Sequence, residues 1–353
     1  MRRSCARPGD RRRYATLESR VPLESMKLGI YSRSLPLPPD ATASAQLQAV
    51  HELGLDGCLF PSPLALSPTL DPVELRERRQ QAEALGLYLE LGLGQINPFH
   101  FDRAADVLAV GDGDFRAGLE RMLRAASAIG VSELFFWAGT VADRASRSVP
   151  WGTQLAALEA FLRDLAPLAR DLGCHLNLKT HEEITTHEVV RLVEAVGPDV
   201  LGVSLDPVNV VVRLEDPLAS ARRVAPYVRQ VHLDDALILF DEQGLVRKLR
   251  PCGEGAIDWP AILGLVRAHR PAANLTIELH RGQFGMPIYD RDWLALQPEG
   301  TLGELAELVR LAVASRGRLE RGETAPIEAY EGDATLRLRP TVAFWRGLLE
   351  EPA

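Results

Sequence analysis

Four segments of the chain end apolar runs with residues able to ligate a cation or move a proton: LNLKTHE closing on Glu182, GVSLD on Asp206, VRQVHLDD around His232, and LTIELH around Glu278. A hard divalent ion needs several carboxylates plus an imidazole from separate elements, and parallel strand ends are the usual way to converge them. Glu278 carries the most weight. A carboxylate inside an otherwise apolar strand incurs a large desolvation penalty unless paired or metal-bound, so LTIELH demands a partner for it. His280, two residues on, projects to the same side of the strand and is placed to touch a substrate. Asp206 precedes Pro207, which ends regular pairing, so a turn cap explains it as well as function does. A lone strand histidine such as His232 is more often a hydrogen-bonded core residue. Asp234 and Asp235 tilt it towards a ligand, because a carboxylate beside an imidazole fixes its tautomer.

Such residues need elements to hold them. From Lys27 onward, short apolar runs alternate with longer segments of helical period, the pattern of repeated βα units. Eight runs read as strands: 27–31, 57–60, 88–94, 133–139, 175–181, 201–206, 228–234 and 275–280. Segments 115–130 and 153–173 place apolar residues at i, i+3, i+4 and i+7 and stop at Gly130 and Gly173, as amphipathic helices with glycine C-caps do. The pattern predicts an α/β fold, a (β/α)8 TIM barrel over 26–316, with a doubly wound open sheet as the alternative. Residues 1–25 hold seven arginines and no apolar stretch of a secretory signal, and read as a disordered leader. Residues 317–353 read as an extension that docks on the barrel or on a partner subunit. Segments 95–114, 236–256 and 281–300 read as long loops that cover a substrate.

At 353 residues and 46% hydrophobic, the chain can bury a large core. Its net charge of -8 opposes binding to nucleic acid, whose recognition draws on Lys and Arg. The four cysteines are far apart in sequence and form no CxxC pair, which fits reduced thiols in a cytoplasmic protein. No stretch approaches the roughly 20 apolar residues of a membrane helix.

The series LKTHEEITT, VSLDPVN, VHLDDA, GEGAIDW and TIELH resembles the xylose isomerase-like TIM-barrel superfamily, over roughly residues 26–316. That resemblance implies one divalent ion, Mn, Mg, Co or Zn, held by Glu, Asp, His and Glu from the last four strands. Asp206, His232 and Glu278 match the last three ligands, and Gly253, Glu254 and Gly255 match the loop before the seventh helix. Strand 5 departs from the pattern. His181 matches the family histidine, but Lys179 stands where the family has a ligating glutamate, so Glu182 is expected to replace that ligand, with Glu183 in reserve. Two-base epimerisation uses both glutamates; Lys179 offers instead a cation that stabilises an enolate oxygen or donates a proton. Asn209 stands where the endonuclease branch has a histidine, which argues against DNA repair. The resemblance implies a metal-dependent isomerase or epimerase acting on a sugar, keto-sugar or sugar acid. Its catalytic residues would be Glu278, Lys179 and His181, with a substrate wall from His100, Trp137, Asn209, His280, Arg281 and Trp293. A lyase using the same enolate, or a non-catalytic sugar-binding barrel, is the alternative. Association into homo-oligomers is compatible with the family.

Overall fold

The computed structural model describes residues 26–350; the leader expected over 1–25 lies outside them. Strands run in chain order β1 (Leu28–Tyr31), β2 (Gly57–Phe60), β3 (Tyr88–Gln95), β4 (Glu133–Trp137), β5 (His175–Lys179), β6 (Leu201–Leu205), β7 (Val228–Leu233), β8 (Asp235–Phe240), β9 (Leu245–Arg250), β10 (Asn274–Ile277) and β11 (Phe284–Met286). Eight of them close a parallel barrel in the order β1-β10-β7-β6-β5-β4-β3-β2. The open-sheet alternative is thereby excluded. Helices Ala43–Glu52, Pro72–Ala84, Phe115–Ala128, Trp151–Asp171, Thr186–Val196, Pro217–Val224, Trp259–His269 and Leu302–Glu320 follow the eight barrel strands in turn.

These helices start where side chains satisfy the free N–H groups of the first turn. The Asp71 and Asp114 side chains accept from the first turns of their helices, and Thr185 with Glu188 forms a capping box on Thr186–Val196. Helix 115–128 buries Phe115, Leu119, Met122, Leu123 and Ala126, the i, i+4, i+7 face read from the sequence.

Strands alternate side chains between the helix layer and the barrel interior. The interior is polar over much of its height. Asn177 of β5 donates to both Glu133 of β4 and Gln230 of β7 in the lower part of the barrel. Tyr31, Leu59 and Phe135 make a small apolar cluster of their own, with Trp137 against it. Two residues further along β5 and β7 come Lys179 and His232, and Glu278 follows β10 two residues past Thr276, the register partner of His232.

One segment departs from the sequence reading. Residues 236–256 were expected to be a loop, yet most of them form an antiparallel hairpin of β8 and β9, which β11 joins through Gly285 opposite Val246. Asp241 closes the turn by accepting the N–H groups of Gln243 at 2.9 Å and Gly244 at 2.8 Å, an Asx turn that DEQG encodes. The hairpin lies over the mouth at the carboxyl ends of the strands, where β7 leads into it directly.

The C-terminal extension packs on the barrel. Trp345 is fully buried, its ring 4.9 Å from that of Trp259; Thr341 accepts the Cys252 N–H at 3.1 Å; and Arg346 donates to the carbonyls of Leu53 and Gly54.

Candidate active site

Glu278 follows β10 directly and finds its partners across the barrel. Lys179, last residue of β5, places its ammonium 2.7 Å from Glu278 Oε2 and 3.0 Å from Asp206 Oδ2. His232 Nδ1 lies 2.5 Å from the same Glu278 oxygen, and its Nε2 is 2.6 Å from Ser204 Oγ. His280 Nε2 stands 3.1 Å from Asp206 Oδ2 and 3.5 Å from Glu278 Oε1. Asn209 donates to Asp206 Oδ2 at 2.9 Å and accepts from Arg247 at 2.7 Å. Asp206, Lys179 and His232 are at most 2% exposed.

The charges of this group depend on one another. Burial opposes ionising Lys179, but the Glu278 and Asp206 carboxylates outweigh it and hold the ammonium well above its ordinary value. Burial likewise opposes charging His280, yet Asp206 and Glu278 raise it to about 9. Glu278 and Asp206 are driven below the usual carboxylate range: burial resists, and Lys179 and His280 prevail. His232 is lowered, by burial first and then by Lys179, which favours a neutral imidazole.

The residues matched to ligands therefore meet, but Glu182 joins a different group. Its Oε2 lies 2.8 Å from His181 Nε2 and its Oε1 3.7 Å from Arg247, while His181 Nδ1 is 2.5 Å from Glu183 Oε2. Glu183 also accepts the Gly139 N–H at 2.8 Å. Between its two glutamates, against burial, His181 is raised to about 10. The helix begins at Thr186, so Glu182 lies before its first turn and complements no macrodipole there. Donor atoms within reach of a single cation come instead from Asp206, Glu278 and His280, and separately from His181, Glu182 and Glu183. A third such set, His187, Glu215 and Glu304, is spanned by Arg223, which pairs with both glutamates.

The expected substrate wall divides. Trp137 stacks 6.0 Å from the His181 ring, and Asn209 and His280 belong to the charge cluster itself. Arg281 lines a cavity of about 480 Å³ with Tyr31, Ser32, Arg33, Glu278 and His280. His100 pairs with Asp143 at 3.1 Å, and Trp293 packs under the Arg213 guanidinium and among the apolar residues beneath the hairpin. Neither His100 nor Trp293 borders that cavity. A larger groove, about 660 Å³, lies outside the barrel between helices 72–84 and 115–128 and contains none of the clustered carboxylates; the smaller one reaches Glu278 and is the better binding cavity.

Two residues in the cluster escaped the sequence reading. Arg247, on the hairpin, is fully buried and donates to Val208 O, Asn209 Oδ1 and Gly282 O. Arg337, from the C-terminal extension, pairs with Asp234 at 2.7 Å. The local sequence marks neither, although an arginine on the alternating face of a hairpin strand could have drawn attention to Arg247.

A closed parallel barrel with acid and imidazole groups at its carboxyl mouth has family relatives. The description of the xylose isomerase-like TIM barrel matches residues 47–310. The chain belongs to that family. It is 28% identical over 244 residues to 3-oxo-isoapionate decarboxylase of Pectobacterium atrosepticum, covering 69% of this chain and 79% of that one. Among solved structures of the fold, it is similar to D-psicose 3-epimerase with D-tagatose from Clostridium cellulolyticum H10: TM-score 0.58, 18% identity, 83% of this chain and 99% of that one. It is also similar to a xylose isomerase-like TIM barrel protein of Mycobacterium smegmatis in complex with magnesium: TM-score 0.56, 18% identity, 83% and 99% covered. Two of these carry enzyme names, a 3-oxo-isoapionate decarboxylase and a D-psicose 3-epimerase. No helix among the described residues is long and apolar enough to cross a membrane.

Proposed function

We propose that this member of the xylose isomerase-like family is a lyase that decarboxylates a 3-oxo sugar acid through an enolate. The observation that carries the reading is the Lys179 ammonium lodged between Glu278 and Asp206, where two-base epimerisation would need a second carboxylate. Loss of CO2 leaves its electron pair on the 3-oxo oxygen as an enolate. A fixed ammonium offsets that charge in a site shielded from water, and its proton can then go to the vacated carbon. The decarboxylase relative supports the same direction.

The 480 Å³ cavity supports an acidic substrate. Arg33 and Arg281 border it beside Glu278, and among the described residues neither forms an ion pair. Arginine meets a carboxylate with two parallel hydrogen bonds, so these two are suited to hold the acid end. Tyr31, which lines the cavity, offers an aromatic face for sugar C–H surfaces.

The donor set also fits a divalent cation. Lys179 takes Asp206 Oδ2 and Glu278 Oε2, while Asp206 Oδ1 is buried without a hydrogen-bond partner. Asp206, Glu278, His280 and His232 would hold the ion, with His280 rather than Glu182 as the fourth ligand; oxygen and imidazole donors suit Mn, Mg, Co or Zn. When bound, such an ion supplies Lewis-acid polarisation to a substrate oxygen. Lys179 remains beside the carboxylates, and Asn209 and Arg247 keep Asp206 oriented.

One observation favours a second reading, isomerisation or epimerisation of a keto-sugar with Glu278 as base. Among the described residues Glu278 Oε1 has only the 3.5 Å contact with His280, which leaves it free to take a proton. Incubation with 3-oxo sugar acids and with neutral ketoses, followed by ¹H NMR and CO2 release, separates the two. CO2 from the acid alone supports the lyase; an epimerised neutral ketose without CO2 contradicts it.

A further inference from the structure

We propose that Arg337, delivered by the C-terminal extension, is a positioning residue of the active site: through Asp234 it fixes the His280 imidazole with Nε2 towards Asp206 and Glu278. The inference rests on His280 belonging to the working cluster and not on which reaction that cluster runs.

Arg337 is 2% exposed, and its Nη1 contacts both Asp234 oxygens, at 2.7 and 2.9 Å. Its Nη2 donates to the His280 carbonyl. Asp234 then accepts from the backbone N–H of His280 at 2.9 Å and faces its Nδ1 at 3.1 Å. A carboxylate acceptor there puts the proton on Nδ1 and leaves Nε2 to face the cluster. The extension does not need Arg337 as an anchor. Trp345 on Trp259, Thr341 on Cys252 and Arg346 on Leu53 and Gly54 hold it elsewhere. A fully buried guanidinium spanning a carboxylate and a backbone carbonyl is costly to desolvate, and its placement is accounted for by the orientation it imposes. Without it Asp234 is a buried, uncompensated charge that protonates or turns away, and the imidazole loses its orientation.

Full-length Arg337→Ala, Arg337→Lys and Arg346→Ala test this. Histidine-labelled protein reads the Nδ1–H of His280 in ¹H–¹⁵N spectra, assigned with His280→Gln, and Mn²⁺ alone is titrated by EPR. Arg346→Ala, which only loosens the extension, should behave as wild type. Arg337→Ala should lose the Nδ1–H signal and bind Mn²⁺ at least about 10-fold more weakly, with added guanidinium ion restoring both. Arg337→Lys should fall between; it carries the test alone should the alanine variant fail to fold. An unchanged Nδ1–H signal in the folded Arg337 variants overturns the proposal. If wild-type protein takes up no Mn²⁺, the cation reading fails while the spectra still decide the role of Arg337.

Discussion

The barrel holds ionisable groups at both ends of its axis and treats them differently. At the floor, Glu133 accepts from Arg229, Arg270 and Asn177, so both of its oxygens are satisfied, and Glu90 is bonded to Asn274 at 3.0 Å with no cation beside it. At the mouth, Lys179, Asp206, Glu278, His232 and His280 crowd together, and Asp206 Oδ1 is buried without a hydrogen-bond partner. At the floor the arginines are spent on Glu133, and burial pushes Glu90 towards its neutral form; at the mouth two carboxylates, a lysine and two histidines set one another's charge, as groups in functional sites commonly do.

Removing mouth charges should give the largest effect. Lys179→Met and Glu278→Gln are each expected to lower turnover of the responsive substrate by about 10³-fold or more with the fold kept, read by steady-state rates and circular dichroism. Loss of folding with no separable effect on rate would place the mouth in the structural class with the floor.

The floor should respond in stability instead. Burial raises Glu90 to about 7 from its ordinary 4.5. Because the folded value exceeds the unfolded one, the protonated form favours folding, and stability falls as pH rises from 4.5 through 7. Glu90→Gln should therefore gain on wild type between pH 5 and 8, by up to about 3 kcal/mol in urea unfolding; an equal gain at both pH values would contradict this. Glu133→Gln should lose about 2 kcal/mol at pH 7, with turnover unchanged. Burial pushes the Glu133 carboxyl up, but Arg229 outweighs it and the net shift is downward. Its contribution is thus present above 4.5 and lost as pH falls below it, so wild type and variant should converge in acid.

The smallest expected effect is at the cavity rim. Arg281→Met or Arg33→Met should raise KM for an acidic substrate about 10-fold and leave a neutral sugar analogue unaffected, as loss of one carboxylate contact implies. Equal losses for both would remove the argument for a sugar acid.

Much of this was legible in the chain. Eight strand runs follow from apolar patterning and are observed within a few residues of their expected ends, because parallel strands are buried on both faces. Glu278 is legible as a site candidate because it interrupts an apolar run, His232 through the acidic residues after it and the family resemblance, and Lys179 through the resemblance alone. The hairpin was not read, because LVRKLR alternates apolar and cationic residues as a solvated loop segment also can. Glu182, expected beside Asp206, pairs locally with His181, whereas His280 reaches Asp206 across 74 residues of sequence. Arg337 had no signal at all: its partner Asp234 is 103 residues away, and nothing around it differs from a surface arginine.

In the proposed reaction Lys179 is the single-sided proton donor to an enolate made beside Glu278. Turnover of a 3-oxo sugar acid in D2O tests this most directly, with deuterium located by NMR in the product of wild type and of Lys179→Met. The expected result is one deuterium on one face of the vacated carbon in wild type and near-abolished product from the variant. Deuterium on both faces, or full-rate stereospecific labelling without the lysine, would contradict it.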